Sequence, residues 1–190
     1  LDAEARNARG AGFGKLREPV LRVAQWMRAL GAKSASGEYA LAWSLDTAGQ
    51  LALRAPSVFG HFRSGYVPPN TVFATLGRTA PEFQIVNEST VAGWINTAEA
   101  MAGYGLGWTG SAVDVSVDHA ALGALADSGN LHSLVNHLDL LLLGGRMSAP
   151  LRQAVLQAVG SVNPWADAPA HRARAATFLV LASPEYLSQP

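Results

Sequence analysis

Helix punctuation constrains this chain more than any other feature. A capping residue, a run with apolar residues three and four apart, then Gly or Pro, recurs from one end to the other, with mostly short connections. In "KLREPVLRVAQWMRALGA", Leu16, Val20, Val23, Met27 and Leu30 form one helical stripe, which Leu21, Ala24 and Trp26 widen. Pro19 suits a first turn, where no N–H is needed, and Gly31 suits a helix end. Arg17, Arg22 and Arg28 lie off the main stripe and are expected on a solvated face. Asn87 or Ser89 caps a helix running to about Ala102, with Val91, Trp94, Ile95, Ala98 and Met101 facing inward. Asp118 begins another helix that Gly129 stops. A further one runs from Asn130 to Gly144 and Gly145. "SAPLRQAVLQAVG" runs from a Ser148 cap past Pro150 to Gly160, and a last long helix covers about Ala168 to Ala182 before Pro184. The class is all-α: mostly helical, an irregular bundle with long ordered loops and at most a minor short β pair.

Between these helices the signals are mixed. Tyr39 to Leu45 reads as a short helix or strand, followed by a turn at Asp46 to Gln50 in which Gly49 takes a positive φ. "AVDVSVD" reads as a short strand or as extended chain leading to Asp118. The most unusual segment is "RAPSVFGHFRSGYVPPN", Arg54 to Asn70, too apolar for an ordinary loop and too broken for a regular element. Pro56 to Phe62 is expected to make about one helical turn with Val58, Phe59 and Phe62 pointing inward, and Pro68 and Pro69 stiffen the exit. "TVFATLGR" is a short helical piece.

The totals narrow the function. Of 190 residues only 15% are charged and 49% are apolar, so large apolar faces need covering. Positive and negative groups balance at 14 each and the Arg residues are scattered, which excludes the clustered positive field that nucleic acid requires. The most apolar run, "LDLLLLGG", is too short to span about 30 Å of hydrocarbon. Without Cys there is no disulfide, zinc–thiolate site or thiol nucleophile, and an oxidising compartment is the better fit. The chain starts at Leu1 with a polar stretch. Residues 1–13 are therefore expected to be an exposed lead-in from a preceding N-terminal region, and residues 14–190 the C-terminal helical part of a larger domain.

Candidate site residues are few. His132 and His137 stand five apart on one helix, which turns them roughly 140° from each other and disfavours a shared metal. His119 follows a capping Asp, and His171 lies near a helix start. No metal site and no cofactor motif is expected: no G-x-S-x-G elbow, phosphate loop, H-E-x-x-H or dinucleotide fingerprint occurs. His61 in the unusual segment and the carboxylates Glu82 and Glu88 are the catalytic candidates, with Asp114 the other acid near unusual loops. Glu82 and Glu88 flank a helix start, where a carboxylate is stabilised in any case. They could instead pair with Arg54 or Arg63, or do acid–base work. Arg54, Arg63, Tyr66 and Trp108 are the binding candidates, Trp108 as an exposed platform for a sugar ring or polymer chain; Trp26 and Trp94 are expected in the core.

Several stretches taken together resemble the family known as domain of unknown function 1800: "GFGKLREPVLRVAQWMRALGA", "RAPSVFGHFRSGYVPPN", "APEFQIVNESTVAGWIN", "LDLLLLGGRMSAPLRQAV" and "RARAATFLVLASPEYLSQ". The likeness covers Gly12 to Pro190. It implies a bacterial protein, secreted or periplasmic, with a longer N-terminal helical region and a possible sulfatase-like partner encoded nearby. It implies no agreed substrate or catalytic residue. Where members of the family commonly carry "SPDY", this chain has Arg63, Ser64, Gly65 and Tyr66, so the acid is missing. Two functions follow as expectations. One is a helical module for assembly or scaffolding, with Phe59, Phe62 and Tyr66 packed under Pro68 and Pro69 as a staple. The other is a secreted hydrolase-like enzyme, with Arg54, His61 and Arg63 lining a cleft shared with the N-terminal region, and His61, Glu82 or Glu88 converging there.

Overall fold

The computed structural model describes residues 14–127, 130–163 and 167–189. The expected lead-in over 1–13, the helix stop at Gly129 and Trp165 lie outside the described residues. In chain order the elements are β1 (Lys15–Leu16), α1 (Pro19–Leu30), β2 (Lys33–Ser34), α2 (Ala42–Thr47) and α3 (Val72–Thr75). A 3-10 helix over Pro81–Ile85 leads into α4 (Glu88–Ala102), β3 (Leu106–Thr109) and β4 (Ala112–Ser116). Then come α5 (Ala120–Asp127), α6 (Leu131–Leu138) with a π turn over Asp139–Leu143, α7 (Ala149–Ser161), α8 (Ala168–Ala182), α9 (Pro184–Leu187) and β5 (Ser188–Gln189). The chain is mostly helical, and among the described residues no helix is long and apolar enough to cross a membrane.

The helix ends follow local chemistry. Pro19 opens α1 and Gly31 closes it in a left-handed conformation. Asn87 and Thr90 form a reciprocal capping box at the start of α4. Ser148 accepts the Leu151 N–H at the start of α7, and Asp118 accepts the Ala120 N–H, at 2.9 Å, at the start of α5. The core gathers around α8, which touches α4, α5, α6, α7 and α9. Ala173 and Ala176 of α8 are fully buried and let neighbouring helices approach closely. Trp26, Leu134, Leu142, Val155 and Leu181 fill the space between. The π turn is held by Asp139, whose Oδ1 accepts the Met147 N–H at 2.9 Å and whose Oδ2 pairs with Arg152 of α7 at 2.6 Å.

The β content exceeds the single minor pair that the sequence suggests. β1 pairs antiparallel with β5, bringing Lys15 opposite Gln189, and β2–β4–β3 form a three-stranded antiparallel sheet. Two-residue strands carry no alternation to read, and β1 and β5 meet only because the two ends of the described chain come together. Asp114 of β4 ties down the segment after β2. It accepts the Ser36 N–H at 2.8 Å and the Ser34 and Ser36 hydroxyls at 3.0 Å each. These bonds, with the Ser36 N–H foremost, hold its carboxyl below the ordinary value of 3.8. A depressed carboxyl stabilises the fold above its unfolded pKa and loses that contribution as pH falls through the folded one. The gap in melting temperature between the native chain and an Asp114→Asn variant should therefore be full at pH 7 and shrink below about pH 4. A gap that does not vary with pH would show that the charge of Asp114 is irrelevant.

Two expected solvent-facing arginines are buried. Arg22 is 5% exposed and Arg17 is 7% exposed; Arg28 alone of the three is exposed. The reason is an aromatic–cation stack across α1, α4 and α9. The Arg22 guanidinium lies 4.8 Å from the Trp94 ring centre, Trp94 stacks on Tyr186 at 6.3 Å, and Arg17 lies 5.0 Å over Tyr186. The Tyr186 hydroxyl donates to the Arg22 carbonyl at 2.5 Å, and Arg22 Nε donates to the Arg17 carbonyl at 2.7 Å. Burial lowers both guanidinium pKa values, that of Arg22 to about 10, so both stay charged at neutral pH. Burial also pushes the Tyr186 phenol up, keeping it a neutral donor.

The stretch Pro56 to Phe62 forms no helical turn. Ser57 and Gly60 close a tight turn: Gly60 N–H donates to the Ser57 carbonyl at 3.1 Å, and the Ser57 hydroxyl to the Gly60 carbonyl at 3.2 Å, with Gly60 at φ 93°. Val58 and Phe59 occupy the tip of that turn and point outward, 95% and 79% exposed. The expected staple therefore lacks Phe59. Phe62 and Tyr66 are half-buried and Pro68 is buried.

Candidate functional site

The segment 51–80 contributes nothing to the main core. Its hydrogen bonds run partly within the segment and partly to the 3-10 helix. The Ala80 N–H donates to the Tyr66 carbonyl at 2.8 Å, and the Arg63 N–H donates to Gln84 Oε1 at 2.8 Å. Backbone groups of Arg63, Tyr66 and Ala80 thus fix this loop. Beside it, β1, α3, the 3-10 helix and β5 enclose a cleft of about 770 Å³. Val72, Phe73, Leu76 and Phe83 supply its apolar wall, and the Phe73 and Phe83 rings meet at 5.5 Å. Lys15, Arg78 and Arg146 supply positive charge. Glu82 lies at the floor, 8% exposed, with its carboxylate 3.5 Å from Lys15 Nζ. The cleft therefore combines an apolar wall with charged groups of both signs, the Glu82 carboxylate already engaged by Lys15.

Of the catalytic candidates, Glu82 lines this cleft, whereas His61 and Glu88 are not among its lining residues. Glu88 is exposed in the first turn of α4, where the helix dipole favours it. Glu82 pairs with Lys15, and no ion pair to Arg54 or Arg63 forms among the described residues. Arg54 and Arg63 are exposed and His61 is half-buried. His132 and His137 are both exposed. Among the described residues no group of three or more His, Cys, Asp or Glu comes together as metal ligands would.

Other concavities lie elsewhere. Trp108 lines a groove of about 510 Å³ with Trp43 and Tyr104, between α2, α4 and β3. Trp43 had no sequence signal beyond its residue type, since α2 was ambiguous. His119 lines a third pocket, with Asp118, Asp167 and Arg174. Its Nδ1 is buried without a hydrogen-bond partner, and burial, then Arg174, hold the imidazole below its ordinary 6.5. In the sequence His119 is only the residue after a cap.

A family model described as "Protein of unknown function (DUF1800)" matches residues 1–188. No curated protein and no solved structure matches the chain. The match spans nearly the whole sequence and agrees with the order of the quoted stretches, so the chain belongs to the DUF1800 family.

Proposed function

We propose that this chain is an assembly module of an exported protein, which docks another polypeptide through the strap formed by residues 53–76 and the cleft beside it. One observation carries the reading. Leu53, Val58, Phe59, Val72 and Leu76 all expose most of their apolar side chains, within one segment that stands outside the core. Scattered exposed apolar residues are ordinary, but this many large ones in one short segment mark an interaction surface. The cleft, which combines an apolar wall with charged side chains, adds a second surface suited to a protein interface. The partner this favours presents apolar side chains next to Asp or Glu. The sulfatase-like protein implied by the family likeness is the first to try. The lack of cysteine leaves no thiol to cross-link in an oxidising compartment.

The test is a Phe59→Asp, Leu76→Asp double variant expressed in the cells that make the protein. Both positions are exposed, so the melting temperature should hold, while the large complex carrying the native chain on gel filtration should be lost. A variant that still elutes in that complex would remove the strap from the interface. The hydrolase-like reading keeps one supporting observation, the buried Glu82 beside Lys15 in the cleft. On that reading Glu82→Gln abolishes hydrolysis without changing the melt.

A further inference from the structure

The groove between α2, α4 and β3 is the least charged concave surface described above. Aromatic side chains and uncharged polar ones line it, and no Asp, Glu, Lys, Arg or His takes part. Trp43 is 77% exposed and Trp108 is 57% exposed, and the Tyr104 ring stands 6.5 Å from that of Trp108, tilted 47°. Tryptophans are usually the most buried large side chains, and here two stand open over one groove. Along it, the Thr47 and Thr97 hydroxyls spend their protons on the Ser44 and Gly93 carbonyls. The side chains of Ser44, Ser89 and Asn96 make no hydrogen bond among the described residues, so a mixed set of donors and acceptors faces the groove. The platform is also closely packed. α2 lies so close to α4 that a Cβ on Gly93 would meet the Thr47 carbonyl oxygen at 2.0 Å, and Trp108 is set in β3, paired with Val113 of β4.

We propose that this groove binds a neutral glycan, with pyranose rings stacked on Trp43 and Trp108. A sugar ring is amphipathic. Its C–H face is weakly positive and suits the negative face of an indole, and its equatorial hydroxyls both donate and accept. The groove offers both complements and no charge. A nucleic-acid strand would also stack on the rings, but it needs cations for its phosphates. A polyproline segment would pack on aromatics, but it offers only carbonyl acceptors and leaves the Asn96 carbonyl and the serine lone pairs without donors. The glycan site is separate from the strap, and it stands or falls independently of the assembly reading.

Native electrophoresis through gels containing hydroxyethylcellulose, laminarin or soluble starch, and calorimetry with cello- and chito-hexaose, test this on the full chain. Retardation or heat with at least one of these neutral glycans is expected. Trp43→Ala and Trp108→Ala should each weaken it about tenfold, the loss of one stacked ring, with an unchanged melt because both side chains are exposed. Asn96→Ala should weaken it several-fold, and Leu140→Ala not at all. No binding to any of these glycans overturns the proposal. So does binding that survives both tryptophan changes, stronger binding to polygalacturonate than to every neutral glycan, or binding of decaproline in their place.

Discussion

Replacing Tyr186 with alanine should lower the stability of the folded chain by about 3–5 kcal/mol, the range for truncating a large buried aromatic. Tyr186 is wholly inaccessible, and three contacts lapse with it: the stack on Trp94, the cation of Arg17 and the bond to the Arg22 carbonyl. Its loss removes the ring beneath Arg17, which keeps Gln25 and the Ser188 carbonyl, while Arg22 keeps Trp94 and the Arg17 carbonyl. Tyr186→Phe should cost less, about 0.5–1.5 kcal/mol, because it keeps the ring and removes one hydrogen bond to a carbonyl that α1 itself still engages. Denaturant midpoints of the two variants give both numbers. If Tyr186→Ala falls within about 0.5 kcal/mol of the native chain, the size of an ordinary surface change, then α9 is not part of the cooperative fold.

Gly93→Ala is the second large effect, and its sign is set by a competition. Inside a helix, alanine is favoured over glycine by about 1 kcal/mol. At this position, however, the new methyl would lie 2.0 Å from the Thr47 carbonyl oxygen and 2.6 Å from its carbon. Contacts under 3.0 Å require movement, and the obstacle is backbone, which cannot swing aside. Overpacking of this kind costs about 1–3 kcal/mol, and here it falls on the seat of a six-residue helix with little hold of its own. The expected outcome is a net loss of up to about 2 kcal/mol, or α2 lifting off α4, seen as faster amide exchange over Ala42–Thr47. Because Trp43 rides on α2, glycan binding should weaken in the same variant. A variant more stable than the native chain, with unchanged exchange over α2, would show that the helices part without strain.

Much of the fold could be read directly because helix ends are local chemistry. Pro19, Asn87, Ser148 and Gly31 act on backbone groups within a few residues, and the last long helix runs over Ala168–Ala182 as its punctuation indicates. What could not be read depends on distant partners. Arg22 looks like a solvent residue until Trp94 and Tyr186 arrive from 72 and 164 positions away. The strands β1 and β5 exist only as each other's complement. Val58 and Phe59 look like core by residue type, and the hydrogen bonds between Ser57 and Gly60 turn them outward. Trp108 is exposed, as its reading as a platform requires; its partnership with Trp43 could not be read, because it depends on how α2 docks on α4.

On the assembly reading the strap ties architecture to function, and whether it is covered can be measured side chain by side chain. Hydroxyl-radical footprinting of the protein inside the cells that make it, set against the purified chain, reports access to each residue. Leu53, Val58, Phe59 and Leu76 should be labelled several-fold less in the cells than in isolation, while Leu140, exposed but outside the strap, is labelled alike in both. Equal labelling of the strap in the two settings would mean that nothing covers it, and the assembly reading would be wrong.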